Sequence, residues 1–151
     1  MKTFFFCFVL AGATAYQAVG QSAASGLDND ATFWKSLMTI RYPDAARTSA
    51  EEVKVYVDFT IDPAGNITNV NLLKTGSLPA SYAEEVDRVM AQLPAQQRAY
   101  AGDYVLPIVF EAKGNSTSYR STKAERAAFG RTFVQLRHTK SVLNELVVAA
   151  N

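Results

Sequence analysis

The sequence predicts an α+β domain: a small antiparallel sheet built from a hairpin, a helix and a third strand, followed by a helical C-terminal extension. Three observations predict it. Apolar and polar residues alternate without a break from Val53 to Ile61, and a turn sequence, Asp62-Pro-Ala-Gly-Asn66, follows at once. A helical spacing of apolar residues begins after Ser81, and a new alternation returns at Leu106, Ile108, Phe110 and Ala112. With 151 residues, 48% of them hydrophobic, the chain is long enough for one well-packed core and short for two.

Taken in order, the chain begins with a segment that is not part of the fold. Lys2 is a short basic start, Phe4 to Ala15 is an apolar stretch, and small residues follow. A spanning helix needs roughly 20 apolar residues, and Tyr16 and Gln17 cut this one short. Residues 1–20 are therefore expected to be a cleaved signal peptide, which predicts export, a periplasmic location and no integral membrane span after cleavage. Cys7 lies inside that segment, so the mature chain is expected to lack disulfides and thiolate chemistry. Residues 21–39 read as a leader, small, polar and disordered through Asn29, and then a short helix. Asp30 caps that helix, and Phe33, Trp34, Leu37 and Met38 form its apolar face. Tyr42-Pro43 redirects the chain, since the residue before proline is pushed out of the α region. Asp44 to Ala50 suits one further helical turn.

In the first strand Val53, Val55, Val57, Phe59 and Ile61 share one face, and Lys54, Tyr56, Asp58 and Thr60 share the other. Pro63, Ala64 and Gly65 close the hairpin, with Gly65 supplying the positive φ. In the second strand the apolar phase slips between Ile67 and Val70, which a β-bulge near Asn69 explains. Ser81-Tyr-Ala-Glu84 predicts a capping box. Tyr82, Val86, Val89, Met90 and Leu93 mark the helix's buried face, and Pro94 ends it. The third strand contains Pro107, which is best tolerated on an edge.

The character changes at residue 114. Asn115 to Ser118 reads as a linker, Thr122-Lys-Ala-Glu125 as a second capping box, and Phe129, Phe133, Leu136, Leu143 and Val147 as one apolar helical stripe. Residues 114–151 carry six basic and two acidic side chains, against eight and twelve in residues 21–113. The stripe has to be buried, and packing on its own domain is expected, over the sheet edge or its open face. The alternatives are a homodimer through the C-terminal helices, or an anionic membrane surface met by Arg120, Lys123, Arg126 and Arg131.

The ordered set Tyr42-Pro43, Ala46, Phe59-Thr-Ile61-Asp62, Gly65, Val70-x-Leu72-Leu73-Lys74, Leu93-Pro94 and Pro107-Ile-Val-Phe110 resembles the C-terminal domain of the TonB energy transducers. The resemblance covers residues 40–113, and two positions depart from it: Val53 stands where the family has glycine, and Gln96 where it has tryptophan. Full-length transducers also have an inner-membrane anchor and a proline-rich spacer, whereas none of the five prolines here precedes Tyr42. An accessory role in TonB-dependent transport is therefore expected rather than direct energy transduction. The resemblance implies that a TonB-dependent outer-membrane receptor peptide adds as a strand along Val105 to Ala112, beside the approach segment. The implied partner-binding residues are Arg41, Tyr42, Pro43, Val105, Pro107, Val109 and Glu111. Tail residues 114–151 covering that edge would be autoinhibitory.

No catalytic constellation competes with this reading. His138 is a lone histidine in the basic tail, expected on the surface. Nucleophile-elbow, phosphate-loop and zinc spacings are absent from the sequence, and Glu84 and Arg88 are spaced to pair on a solvated helix face. No enzyme activity, cofactor or metal is expected, and with a formal charge of +1 no nucleic-acid partner. The alternative function is a structural module that self-associates through its C-terminal helices, with no receptor role.

Overall fold

A computed structural model describes residues 26–47, 51–74, 78–112, 117–118 and 123–150. The expected signal peptide, leader residues 21–25, Thr122 of the second capping box, Arg120, and the side chains of Lys123, Arg126 and Phe129 lie outside what it describes.

Strand β1 (Glu51–Ile61) is the spine of the sheet, antiparallel to β2 (Ile67–Lys74) on one side and to β3 (Gly102–Glu111) on the other. Its alternation puts Val53, Val55, Val57, Phe59 and Ile61 on a buried face beside Tyr104, Leu106, Ile108 and Phe110 of β3. Helices α1 (Ala31–Leu37) and α2 (Ala80–Gln92) cover that face, contributing Phe33 and Leu37, and Tyr82, Val86, Val89 and Met90. Phe59 sits between two rings, 6.4 Å from Phe33 and 5.5 Å from Tyr104.

Several local expectations hold. Asp30 caps α1, its Oδ1 accepting the N–H groups of Thr32 and Phe33 at 2.9 and 3.0 Å. Asp62 and Asn66 close the hairpin around Pro63, Ala64 and Gly65, and Gly65 has φ +95°. The strand register shifts between Asp58 and Thr60, opposite Asn69 at φ 53°, which is the bulge read from the phase slip.

Others change. The first capping box does not form: α2 starts at Ala80 with Pro79 as its N-cap and no side-chain cap bond, so Ser81 is already inside the first turn. Arg88 bonds Glu85, at 2.6 and 2.9 Å, and not the expected Glu84, because Glu85 is the carboxylate turned toward the chain at Thr39 and Arg41. The leader is ordered where it is described. Leu27 is fully buried, and the Asp28 carbonyl accepts the Trp34 indole N–H at 2.8 Å. Met38, placed on the apolar face of α1, is instead 72% exposed just past that helix.

The C-terminal extension is helical over α3 (Lys123–Thr139) and then turns into strand. Phe133 lies 4.8 Å from Tyr56, so α3 meets the second face of the sheet, and Lys140 reaches Asp58 on the same face. The apolar stripe therefore stops being helical before Leu143. Beyond it, β5 (Ser141–Val142) and β6 (Leu146–Ala149) run parallel to β3, whereas Thr117–Ser118 of the expected linker pairs with Glu51 and Glu52 as β4. The physical reason lies in alternation: Leu146 and Val148 point into the main core, while Val147, which the helical stripe had buried, is half exposed.

Candidate protein-binding edge

Tyr42 and Pro43 are both buried. The Tyr42 ring meets Tyr82 and Phe110 edge-on at 5.8 and 6.2 Å, and the Tyr82 hydroxyl donates to the Tyr42 hydroxyl at 3.0 Å. This tyrosine is therefore a strut between the approach segment, α2 and β3. Arg41 is exposed, and its backbone N–H donates to Glu85 Oε1 at 2.8 Å. The Glu85 carboxyl is held below the usual carboxylate range, chiefly by its hydrogen bond from Arg88 and further by the Arg41 N–H, with partial burial opposing. Around this lies an open cleft of about 720 Å³, lined among others by Arg41, Pro43, Arg47, Glu84, Glu85 and Arg88.

The other expected binding residues lie on β3. The outward edge of β3 is not open: Tyr104 and Val105 pair with β5, and Ile108 to Glu111 pair with β6. The Leu143 N–H donates to the Val105 carbonyl and the Ala150 N–H to the Glu111 carbonyl, each at 2.9 Å. By alternation the backbones of Val105, Pro107, Val109 and Glu111 all face the tail. Val105, Pro107 and Val109 are buried, and Glu111 is exposed.

Pro107 consequently sits in an inner strand, contrary to the edge position expected of it. The tail accommodates it by breaking. Leu106 and Pro107 fall between the β3 residues paired with β5 and those paired with β6, and the missing N–H of Pro107 points into that gap.

The tail strands are anchored by more than backbone bonds. Leu143, Leu146 and Val148 are buried in the main core, Glu145 pairs with Lys54, and the Asn144 N–H donates to Asp28 Oδ1 at 2.9 Å. Burying three such side chains is worth on the order of 5–9 kcal/mol. A peptide of micromolar affinity brings only about 8 kcal/mol in total. Displacing the tail from Leu143 to Val148 would consume most of that, so β6 is a resident strand of this sheet and not a loose cover.

With β6 in place, the sheet ends there. A groove of about 370 Å³ runs along it, between Leu146–Ala149 and the segment that holds Met38, Ile40, Arg41 and Arg47. Arg41 and Tyr42 line both the groove and the larger cleft. Sequence reading missed this edge because it took Leu143 and Val147 into one helical stripe; Leu146-Val-Val-Ala149 is apolar throughout, so no alternation in the sequence marks it as a strand. His138 is exposed, as expected. Among the described residues no group of three or more His, Cys, Asp or Glu could hold a metal ion, and no helix is long and apolar enough to cross a membrane.

The family model for the Gram-negative bacterial TonB protein C-terminal matches residues 38–112. That segment begins at the approach to Tyr42 and ends just after β3, and so leaves out α3, β5 and β6. Neither a curated protein nor a solved structure matches the chain.

Proposed function

We propose, from the premise that this chain belongs to the TonB C-terminal domain family, that it is a noncatalytic periplasmic protein-binding module, accessory to TonB-dependent outer-membrane transport. Its partner is an extended segment of an outer-membrane receptor, taken up by β-strand addition. The observation that carries this reading is the sheet itself. The family's hairpin, helix and third strand are all present, and the sheet ends in a short strand with an open groove beside it. Backbone pairing supplies affinity in such a complex, and groove side chains supply selectivity.

The self-association reading draws on less. Phe133 and Leu136 are half-buried, and Val134 is the large apolar side chain that α3 exposes among its described residues.

The test is capture from solubilised outer membrane on the immobilised full-length chain, with bound proteins identified by mass spectrometry. Enrichment of a TonB-dependent receptor supports the proposal. Absence of any such receptor, with the bait folded and its mass rising with concentration, supports the self-associating module instead.

A further inference from the structure

The sheet has a second outer edge at its opposite end, where β2 pairs with β1 alone among the described residues. This edge is not built for regular strand addition. The register shift between Asp58 and Thr60 lies opposite Asn69 at φ 53°, and the Asn71 Nδ2 donates to the Asn69 carbonyl at 3.0 Å. A bulge on an edge strand interrupts the ladder that an added strand would need. Whatever docks here has to be held by side chains.

A groove of about 310 Å³ lies between that edge and α2, at the small end for a ligand site. Ile67, Val70, Met90 and Leu93 give it an apolar lining; Met90 is buried and the other three are half-buried. The charged residue that lines it is Asp87, which is exposed. Among the described residues no hydrogen bond or ion pair reaches the Asp87 carboxylate. Arg88, its neighbour in sequence, is committed elsewhere: to Glu85 at 2.6 and 2.9 Å and to the Thr39 carbonyl at 3.2 Å. The other polar lining residue, Asn66, already gives its side-chain amide to Asp62 at 3.0 Å. A carboxylate without a partner beside an apolar slot suits a long cationic side chain. The hydrocarbon stem of such a side chain covers apolar surface while its charged head meets the acid.

We infer that this groove docks a basic extended segment of a partner protein: a Lys or Arg sets its charge on Asp87, and an apolar residue two positions away packs against Ile67, Val70 and Leu93. Asp87 and Leu93 are about 9 Å apart along the helix axis. Residues two apart in an extended chain share a face at a separation of about 7 Å, so such a pair spans the groove. The site is distinct from the receptor groove past β6, at the other end of the sheet, and does not depend on it.

The experiment uses the purified full-length chain and a fluorescein-labelled probe, Thr-Lys-Thr-Leu-Thr-amide, read by anisotropy. Replacing the probe's Lys by Glu, or its Leu by Ser, should each weaken binding by about tenfold. N-methyl groups on alternate amides of the probe should change it by less than about twofold, because the bulged edge offers no ladder. Asp87→Asn, on the exposed side of α2, should weaken the Lys probe about tenfold, and Asp87→Lys should make the Glu probe the tighter one. As a check independent of any variant, the amide NMR shifts of Asn66, Ala91 and Ala95 in the unaltered chain should move when the Lys probe is added. Those of Met38 and Val147 should stay in place.

The inference is overturned if the Lys probe does not bind, if the Glu probe binds as tightly, or if Asp87→Asn leaves binding unchanged. It is overturned too if the shifts gather at Met38 and Val147, or if N-methylation abolishes binding, which would make the contact a strand addition. A mass that doubles with concentration, and that Asp87→Asn returns to the monomer, would make a second copy the occupant and overturn it as well. Probe binding through Asp87 with no receptor captured would keep this site and remove the proposed function. Receptor capture without probe binding would do the reverse.

Discussion

The Tyr82 hydroxyl donates to the Tyr42 hydroxyl at 3.0 Å, and both rings are buried against Phe110. One contact thus ties the Tyr-Pro segment, the helix α2 and the strand β3. Tyr42 lines the groove's floor, but its first effect is on folding. Tyr42→Ala should destabilise the protein by about 3–5 kcal/mol, in the range of large aromatic truncations. Tyr82→Phe should cost about 1 kcal/mol, the worth of one buried hydrogen bond. Urea unfolding of the two variants checks both, and equal losses would contradict the assignment.

Tail stability provides a second prediction. Leu146→Ala should lower stability by about 2–4 kcal/mol because it opens a cavity in the main core. Val134→Ala, on the exposed side of α3, should stay within about 0.5 kcal/mol. If Leu146→Ala is as mild as Val134→Ala in thermal denaturation, β6 is not a resident strand.

At the hairpin, Gly65 has φ +95°, and a Cβ there would lie 2.1 Å from the Gln96 carbonyl oxygen. The Gln96 N–H donates to the Gly65 carbonyl at 2.8 Å, so the turn and the chain after α2 are in direct backbone contact. Neither can give way cheaply. Gly65→Ala should cost upward of about 2 kcal/mol, combining left-handed strain with the clash, while Ala64→Gly should cost much less. The urea midpoint decides.

Acid titration follows from two depressed carboxyls. Glu85 is lowered chiefly by its Arg88 hydrogen bond, and Asp30 chiefly by the Phe33 N–H it caps. In both, the fold favours the ionised form. Their stabilisation is therefore full above the ordinary values of 4.5 and 3.8 and is lost as pH falls through the lower folded values. Glu85→Gln should flatten that acid loss when urea midpoints are followed from pH 6 downward. Parallel curves for the variant and the parent would rule the Glu85 contribution out.

At alkaline pH the sign reverses. Burial, then Tyr100, Asp103 and Asp28 nearby, push the Tyr104 phenol up to about 12, and its hydroxyl donates to the Tyr100 carbonyl at 2.6 Å. The folded state holds this proton after the unfolded chain has released it. The resulting stability is present below the ordinary value of 10.0 and is lost as pH rises through about 12. Phenolate absorbance should show a late-ionising tyrosine that Tyr104→Phe removes.

Legibility varied with how local each feature is. The β1 alternation, the Asp30 cap, the Gly65 turn and the Asn69 bulge are decided by neighbours a few residues away, and the chain displays those neighbours directly. The Ser81 box failed because Pro79 opens the helix two residues sooner, a competition between two adequate starts. Leu27 looked like part of a polar leader because a single leucine has no period, and only the cavity it fills reveals it.

By itself the sequence determined the α+β class, the hairpin, the helix that follows it and the family pattern through β3, because side-chain periodicity and turn stereochemistry act within one segment. Tertiary structure alone decided that residues 141–142 and 146–149 become strand and extend the sheet past β3. A stretch holding Leu143, Leu146 and Val148 suits either a helix or a strand until it meets unpaired backbone groups on β3, and those groups lie more than thirty residues away.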